Sequence, residues 1–195
     1  MGLRLLEVVR EHDLPAELLA QEDPAQTIPR RLGLSDAVER QIRSYEHDAR
    51  KGVCLTDAGT RALFHLVKRR PDSDQVFFQT GVELVEVPQL CRYGKVFPET
   101  LQYMLARMYL SWRLKRLFGR QMIVLAEGPF SPESKDSFFR ETDPEGNVCH
   151  FIAGMCQGVL EQIGHGAAEV EHSLCQAQGD ERCVWKGRIL SVTKA

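Results

Sequence analysis

Apolar positions change their period part-way along the chain. In the first 120 residues they recur at helical spacing. Leu3, Leu5, Leu6, Val8, Val9, Leu14, Leu18 and Leu19 predict one or two short helices over residues 3–22, interrupted near Pro15. Residues 23–34, with Pro24, Pro29 and Gly33, read as a linker. Ser35 and Asp36 cap a helix running to about Arg50, with Val38, Ile42, Tyr45 and Ala49 on one face and Gly52 at its end. Thr56 and Asp57 open another through Arg69, with Ala62, Leu63, Leu66 and Val67 inward and Pro71 as the stop. Val76, Phe77, Val82 and Leu84 predict a helix over 74–90, limited by Pro88. The longest stripe is Leu101, Met104, Leu105, Met108, Trp112 and Leu117 in residues 98–118. Pro98 suits its first position, Arg113, Lys115 and Arg116 complement its C-terminal dipole, and Gly119 closes it.

After Gly119 the pattern changes. Residues 121–126 (QMIVLA) predict a buried strand. Residues 128–146, broken by Pro129, Pro132, Pro144 and Gly146, predict a loop with one edge strand. A helix is expected from about Asn147 to Ile163, with Val148, Phe151, Ile152, Met155, Val159 and Leu160 inward and Gly164 at its end. Residues 167–175 and 182–190 alternate as two strands. The QAQGDE segment between them carries Gly179 and Asp180 as turn residues, so the pair predicts a hairpin.

A length of 195 residues with 43% hydrophobic and 27% charged composition allows one compact domain with a small N-terminal appendage. The expected division is 1–34 and 35–195. A formal net charge of −2 gives no overall attraction to nucleic acid or an anionic membrane. No apolar run approaches the roughly 18 residues of a membrane span. The first fifteen residues are too charged for a secretory leader, which points to the cytoplasm. In that reducing setting six cysteines are more naturally metal ligands or catalytic groups than disulfides.

Cys149 falls in the first turn of the last predicted helix, where free amides and the helix dipole favour a thiolate. Cys175 and Cys183 flank the hairpin turn. Zinc takes tetrahedral nitrogen and sulfur ligands, and a site closed by four of them is structural. His172 is the natural fourth ligand. In a regular strand, however, His172 and Cys175 face opposite ways, so a bulge or an early turn is required. Glu169 and Glu171, which share the parity of Cys175, are the fallback ligands, and His150 and His165 stand behind them. Cys156, two turns along from Cys149, reads as core, and Cys54 and Cys91 read as small buried hydrophobes. The alternative is that all six thiols are buried and inert.

The stretch NVCHFIAGMCQGVLEQIG, followed by VEHSLCQAQGDERCVW, resembles the C-terminal signature of the 4-vinyl-reductase domain family. The shared features are the small residues Ala153-Gly154 and Gly158 in the helix, the Gly179-Asp180 turn, and Cys183-Val184-Trp185. The family includes a bacteriochlorophyll-biosynthesis protein and the sensory domains of phenol- and toluene-responsive activators. It is similar in fold to small subunits of the transport-protein-particle tether. Phenol-sensing members hold zinc through three cysteines and a glutamate. By spacing these fall on Cys149, Cys175, Cys183 and, with imidazole replacing carboxylate, His172. The resemblance implies an α/β fold, with a helical layer on a twisted, mainly antiparallel sheet and a small zinc subdomain over 147–185. It also implies a homodimer formed through the helices, and a buried apolar pocket.

The chain is therefore expected to be a bacterial-type binding or sensory protein for a small apolar or aromatic ligand. Trp112, Tyr103, Met108, Phe151 and Met155 are the candidate pocket residues; the alternative is that this stripe is simply core. An enzyme of tetrapyrrole metabolism is a second reading, but no nucleotide-binding glycine loop and no catalytic triad order stands out. Residues 25–42 faintly resemble a helix-turn-helix, against which Pro29 argues. A dimeric scaffold is the remaining reading. Any signal would pass to a separate partner.

Overall fold

Leucine and valine on one side of residues 2–13 wind the first helix, α1 (Gly2–Asp13), and leave Leu5 and Val8 fully buried. The computed structural model describes residues 1–13, 43–48, 50–51, 56–87, 97–119, 121–125, 129–135 and 146–190, apart from the side chains of Asp13 and Asp57. Contacts divide the chain into two units, Met1–Leu63 and Phe64–Ala195. In the first unit, 43–48 is helical, in the helix expected from Ser35 to Arg50. The rest of that helix, residues 14–22 and the linker 23–34 lie outside the described residues. The next helix, α2 (Asp57–Val67), begins where the Thr56 side chain accepts the Gly59 amide and runs across the division.

The second unit continues with α3 (Ser73–Glu83) and α4 (Glu99–Phe118), then β1 (Val124–Leu125), β2 (Pro132–Ser134) and α5 (Cys149–Gly164). It ends with β3 (Ala168–Leu174), a 3₁₀ turn at Gln176–Gln178 and β4 (Cys183–Ile189). The four strands pair antiparallel in the order β1-β2-β4-β3. The chain is thus a mixed helical and antiparallel-sheet fold. The strand expected in 128–146 is β2, but it lies between β1 and β4 rather than at an edge. Pro132 is tolerated there because it is the strand's first residue. Of the strand expected over 121–126, Val124–Leu125 is paired and residues 121–123 are not, although Met122 and Ile123 are buried; Ala126 lies outside the described residues.

Eleven of the sixteen residues of α5 are buried, so this helix is the centre of the unit and not an amphipathic cover. On one side it meets α3 at backbone contact. A Cβ placed on Gly154 would lie 2.0 Å from the Phe78 carbonyl oxygen, and one on Gly81 would lie 2.2 Å from that of Phe151. On another side Leu160 packs over Gly187 of β4. Phe64, Phe77 and Phe151 form the aromatic core. Phe64 and Phe77 meet edge to face at 5.2 Å, and Phe64 lies 6.2 Å from Phe151.

The helix predicted over 74–90 stops at Glu83. Beyond it, residues 84–87 run without helical structure because distant side chains take up their backbone groups. Arg113 donates twice to the Leu84 carbonyl, at 3.1 and 2.8 Å. The Tyr109 hydroxyl donates to the Glu86 carbonyl and accepts its amide. The Gln162 amide donates to the Val85 carbonyl and accepts the Val87 amide. Each such bond contributes about 1 kcal/mol net, while an unmade one in this part-buried setting costs more. Tertiary partners therefore override the local helical signal. Pro98 serves as the N-cap of α4, one position before the helix starts, and Gly119 closes α4 at φ 69°.

Candidate metal centre

The hairpin carries the first part of the site. Register places His172 opposite Trp185 and Leu174 opposite Val184, so Ser173 is an extra residue on β3. This bulge supplies the change of parity that the sequence required, and His172 and Cys175 come to the same place. Cys175 then leaves the strand into the 3₁₀ turn. Its amide donates to Asp180 Oδ2 at 2.7 Å and its carbonyl accepts the Asp180 amide at 3.1 Å. Gly179 takes φ 103° to complete the turn. Cys183 opens β4, and the Gln176 amide points at its sulfur at 3.4 Å.

Cys149, the first residue of α5, supplies the remaining thiol. Gly146, at φ 87°, leads into the helix so close to the hairpin that a Cβ there would sit 3.2 Å from Cys175 Sγ. One ligand atom from each of Cys149, His172, Cys175 and Cys183 lies within 4.8 Å of the others. The three cysteines are buried, with at most 4% of their surface exposed. Cys149 Sγ and Cys183 Sγ are 3.8 Å apart, and both thiols are free.

These distances fit a metal ion. Metal–sulfur bonds of about 2.3 Å in a tetrahedron set sulfur atoms about 3.8 Å apart. His172 Nε2 is also buried without a hydrogen-bond partner, a costly state for an imidazole nitrogen unless a ligand occupies it. The donor set of three thiols and one imidazole suits tetrahedral zinc or iron and does not suit the hard cations calcium and magnesium.

The electrostatics differ from expectation in one respect. The helix N-terminus was expected to lower the Cys149 thiol. Instead the bond to Cys183, followed by burial, pushes Cys149 far up. The same bond pulls Cys183 down to about 5, helped by His172 and the Gln176 amide. In the first turn of α5 the amides of Cys149, His150 and Phe151 donate to the carbonyls of Gly146, Asn147 and Val148. Little of the helix terminus is left for the sulfur. Burial raises Cys175.

Residues held in reserve fall elsewhere. Glu169 pairs with Arg188 at 2.9 Å, and with Glu171 it lines an open depression on the outer sheet face beside Lys186. His150 is exposed, and His165 caps α5 in the left-handed region. Cys156 is completely buried within α5, where desolvation raises its thiol. Cys54 and Cys91 lie outside the described residues.

Of the five candidate pocket residues, three are buried and two are exposed. Phe151 and Met155 are wholly buried in α5, with Phe151 in the aromatic core. Tyr103 is buried, with its hydroxyl accepting the Ile189 amide at 3.1 Å. Met108 and Trp112 are 60% and 50% exposed on α4. Sequence reasoning missed Trp185 and Asp180 as residues that support the ligands. Trp185 is visible only as the aromatic residue two after Cys183, on the same face of the strand.

Among the described residues no helix is long and apolar enough to cross a membrane. No family model matches the chain, and comparison with curated proteins and with solved structures finds none that is similar.

Proposed function

We propose that Cys149, His172, Cys175 and Cys183 hold a structural zinc ion in a small-molecule-binding or sensory protein of the 4-vinyl-reductase domain type. The supporting observation is the cluster itself: four ligand atoms within 4.8 Å of one another, from the start of α5 and from the β3–β4 hairpin, with the three sulfurs buried. Four protein ligands leave no open position for substrate, which favours an organising role over catalysis. The ion ties the start of α5, the central helix, to the hairpin. Elemental analysis with native mass spectrometry of freshly purified protein is expected to give one zinc per chain. Additional non-metal mass would identify a bound ligand. Absence of metal from protein purified without chelator would end this reading.

The protein acts as a homodimer in this proposal. Met104, Met108 and Trp112 make an exposed stripe along α4, with Arg116 over the Trp112 ring at 5.5 Å. Antiparallel pairing of two α4 helices about Met108 sets Met104 against the partner copy's indole and brings the Glu99 end towards the basic end. Light scattering is expected to show a dimer for the native chain and a monomer for Met108→Asp. A native chain that is monomeric at micromolar concentration would remove the interface.

Zinc retention should fall with acidity. Zinc needs thiolates, and Cys149 and Cys175 are both pushed up, so loading the site releases protons. In the metal-free protein Cys183 is the thiol held low, by its contact with Cys149. Its contribution to stability is complete above the ordinary thiol value of about 8.5. That contribution shrinks as pH falls and is gone below its folded value of about 5. Protons compete with zinc for all three thiols, so the loaded protein is expected to lose zinc and to melt at progressively lower temperature on acidification towards about pH 5. Metal content that stays constant through that range would contradict the assigned ligands.

A further inference from the structure

Trp185 touches more of the cluster than any role as core filler requires. It is fully buried and stands opposite His172 in the strand register. The two rings stack, with centroids 5.0 Å apart and planes 10° from parallel. On its other side the indole Nε1–H donates to the Cys149 carbonyl at 3.2 Å. Trp185 also follows Cys183 by two residues, on the same face of β4. One side chain thus contacts an imidazole on β3 and the first peptide of α5, and the strand that bears it also carries Cys183.

We propose that Trp185 is the positioning residue of the metal centre. Its ring fixes the plane of the His172 imidazole, and its N–H fixes the peptide from which Cys149 Sγ projects. This rests on the reading that the four residues hold a metal. The chemistry is specific. An apolar side chain of similar size would fill the space, but it would leave the Cys149 carbonyl unpaired and the imidazole free to rotate about its χ2 bond. Outer residues that orient ligands in this way typically change metal affinity by about 10- to 100-fold.

The test uses the full-length chain, reduced and stripped of metal, titrated with cobalt(II) and then with zinc in competition. Trp185→Phe keeps the stacked ring and loses the N–H; affinity is expected to fall about 10-fold with the shape of the cobalt d–d bands preserved. Trp185→Leu loses both contacts; affinity is expected to fall about 100-fold, with the bands shifted and weakened. Phe77→Leu, a core truncation on α3 away from the cluster, controls for general destabilisation. It should leave the band shape unchanged and weaken zinc binding less than Trp185→Leu does.

If Trp185→Leu behaves as Phe77→Leu does, with unaltered bands, Trp185 only fills space and the proposal is overturned. Should Trp185→Leu not fold, the zinc-loaded native chain still decides. Imidazole C–H protons of His172 at ordinary shifts, without an upfield ring-current displacement, would refute the stack, and unchanged affinity in Trp185→Phe would refute the N–H contact. A native chain that binds neither cobalt nor zinc would overturn the metal reading and this inference together. Binding by the native chain with indifferent Trp185 variants would overturn the inference alone.

Discussion

Cys175→Ser is expected to abolish stoichiometric zinc binding and to lower the melting temperature by roughly 10 °C or more. Serine matches the shape of cysteine, but its hydroxyl stays protonated and is a poor partner for zinc, which prefers thiolate. Two thiols and an imidazole would then be left buried beside an incomplete site. Metal binding is worth on the order of 10 kcal/mol in small structural zinc modules, so losing one ligand outweighs the single hydrogen bond or methylene contact at stake in an ordinary surface change. The signature separates this from simple core damage. Chelator should lower the melting temperature of the native chain towards that of the variant and leave the variant unmoved. Cys54→Ser and Cys91→Ser, outside the assigned ligand set, should each keep one zinc per chain. A Cys175→Ser protein with native metal content and melting temperature would show that the cluster holds nothing.

The second large effect is expected at Gly154, where alanine should destabilise by about 3 kcal/mol or more. In an exposed helix the same change would stabilise by about 1 kcal/mol, since glycine is a poor helix former. Here the added carbon would lie 2.0 Å from the Phe78 carbonyl oxygen and 2.9 Å from its carbon. The obstacle is backbone, so no rotamer change relieves it. The two helices must move apart, and moving them loosens the Phe64, Phe77 and Phe151 packing. The sign of the effect is the test. Chemical denaturation showing Gly154→Ala to be as stable as the native chain, or more so, would mean that α3 and α5 do not approach as closely as described.

The clustering of Cys149, His172, Cys175 and Cys183 was legible in the sequence for a physical reason. Strand alternation showed that His172 and Cys175 could not meet without an irregularity, and the structure has the bulge between His172 and Leu174. The central helix, α4 and the hairpin were readable within a residue or two, because strong apolar periods and glycine stops mark them. What was not legible depended on partners far along the chain. The end of α3 is set by Tyr109, Arg113 and Gln162, which lie tens of residues away. Similarly, Met108 and Trp112 belong by periodicity to a stripe that reads as core or pocket, yet the fold leaves them exposed. Apolar spacing reports which side chains share a face and not what that face meets. The proton distribution among the thiols was also hidden, since it turns on the contact between Cys149 and Cys183 and on their burial.

The extra residue in β3 has a second effect. With the order β1-β2-β4-β3, β3 is the last strand of the sheet, and its outer side has no strand partner among the described residues. Such an edge is a template for a strand from another molecule, and regular, uncharged edges invite aggregation. Here Glu169 and Glu171 place exposed carboxylates on the first half of the strand, and the Ser173 bulge breaks its straight run in the second half. The irregularity that gathers the ligands therefore also spoils the edge as a docking track. Deleting Ser173 would leave His172 and Cys175 two residues apart, on one face of a regular strand, so the proposed metal site would keep its parity while the edge became unbroken and open to pairing.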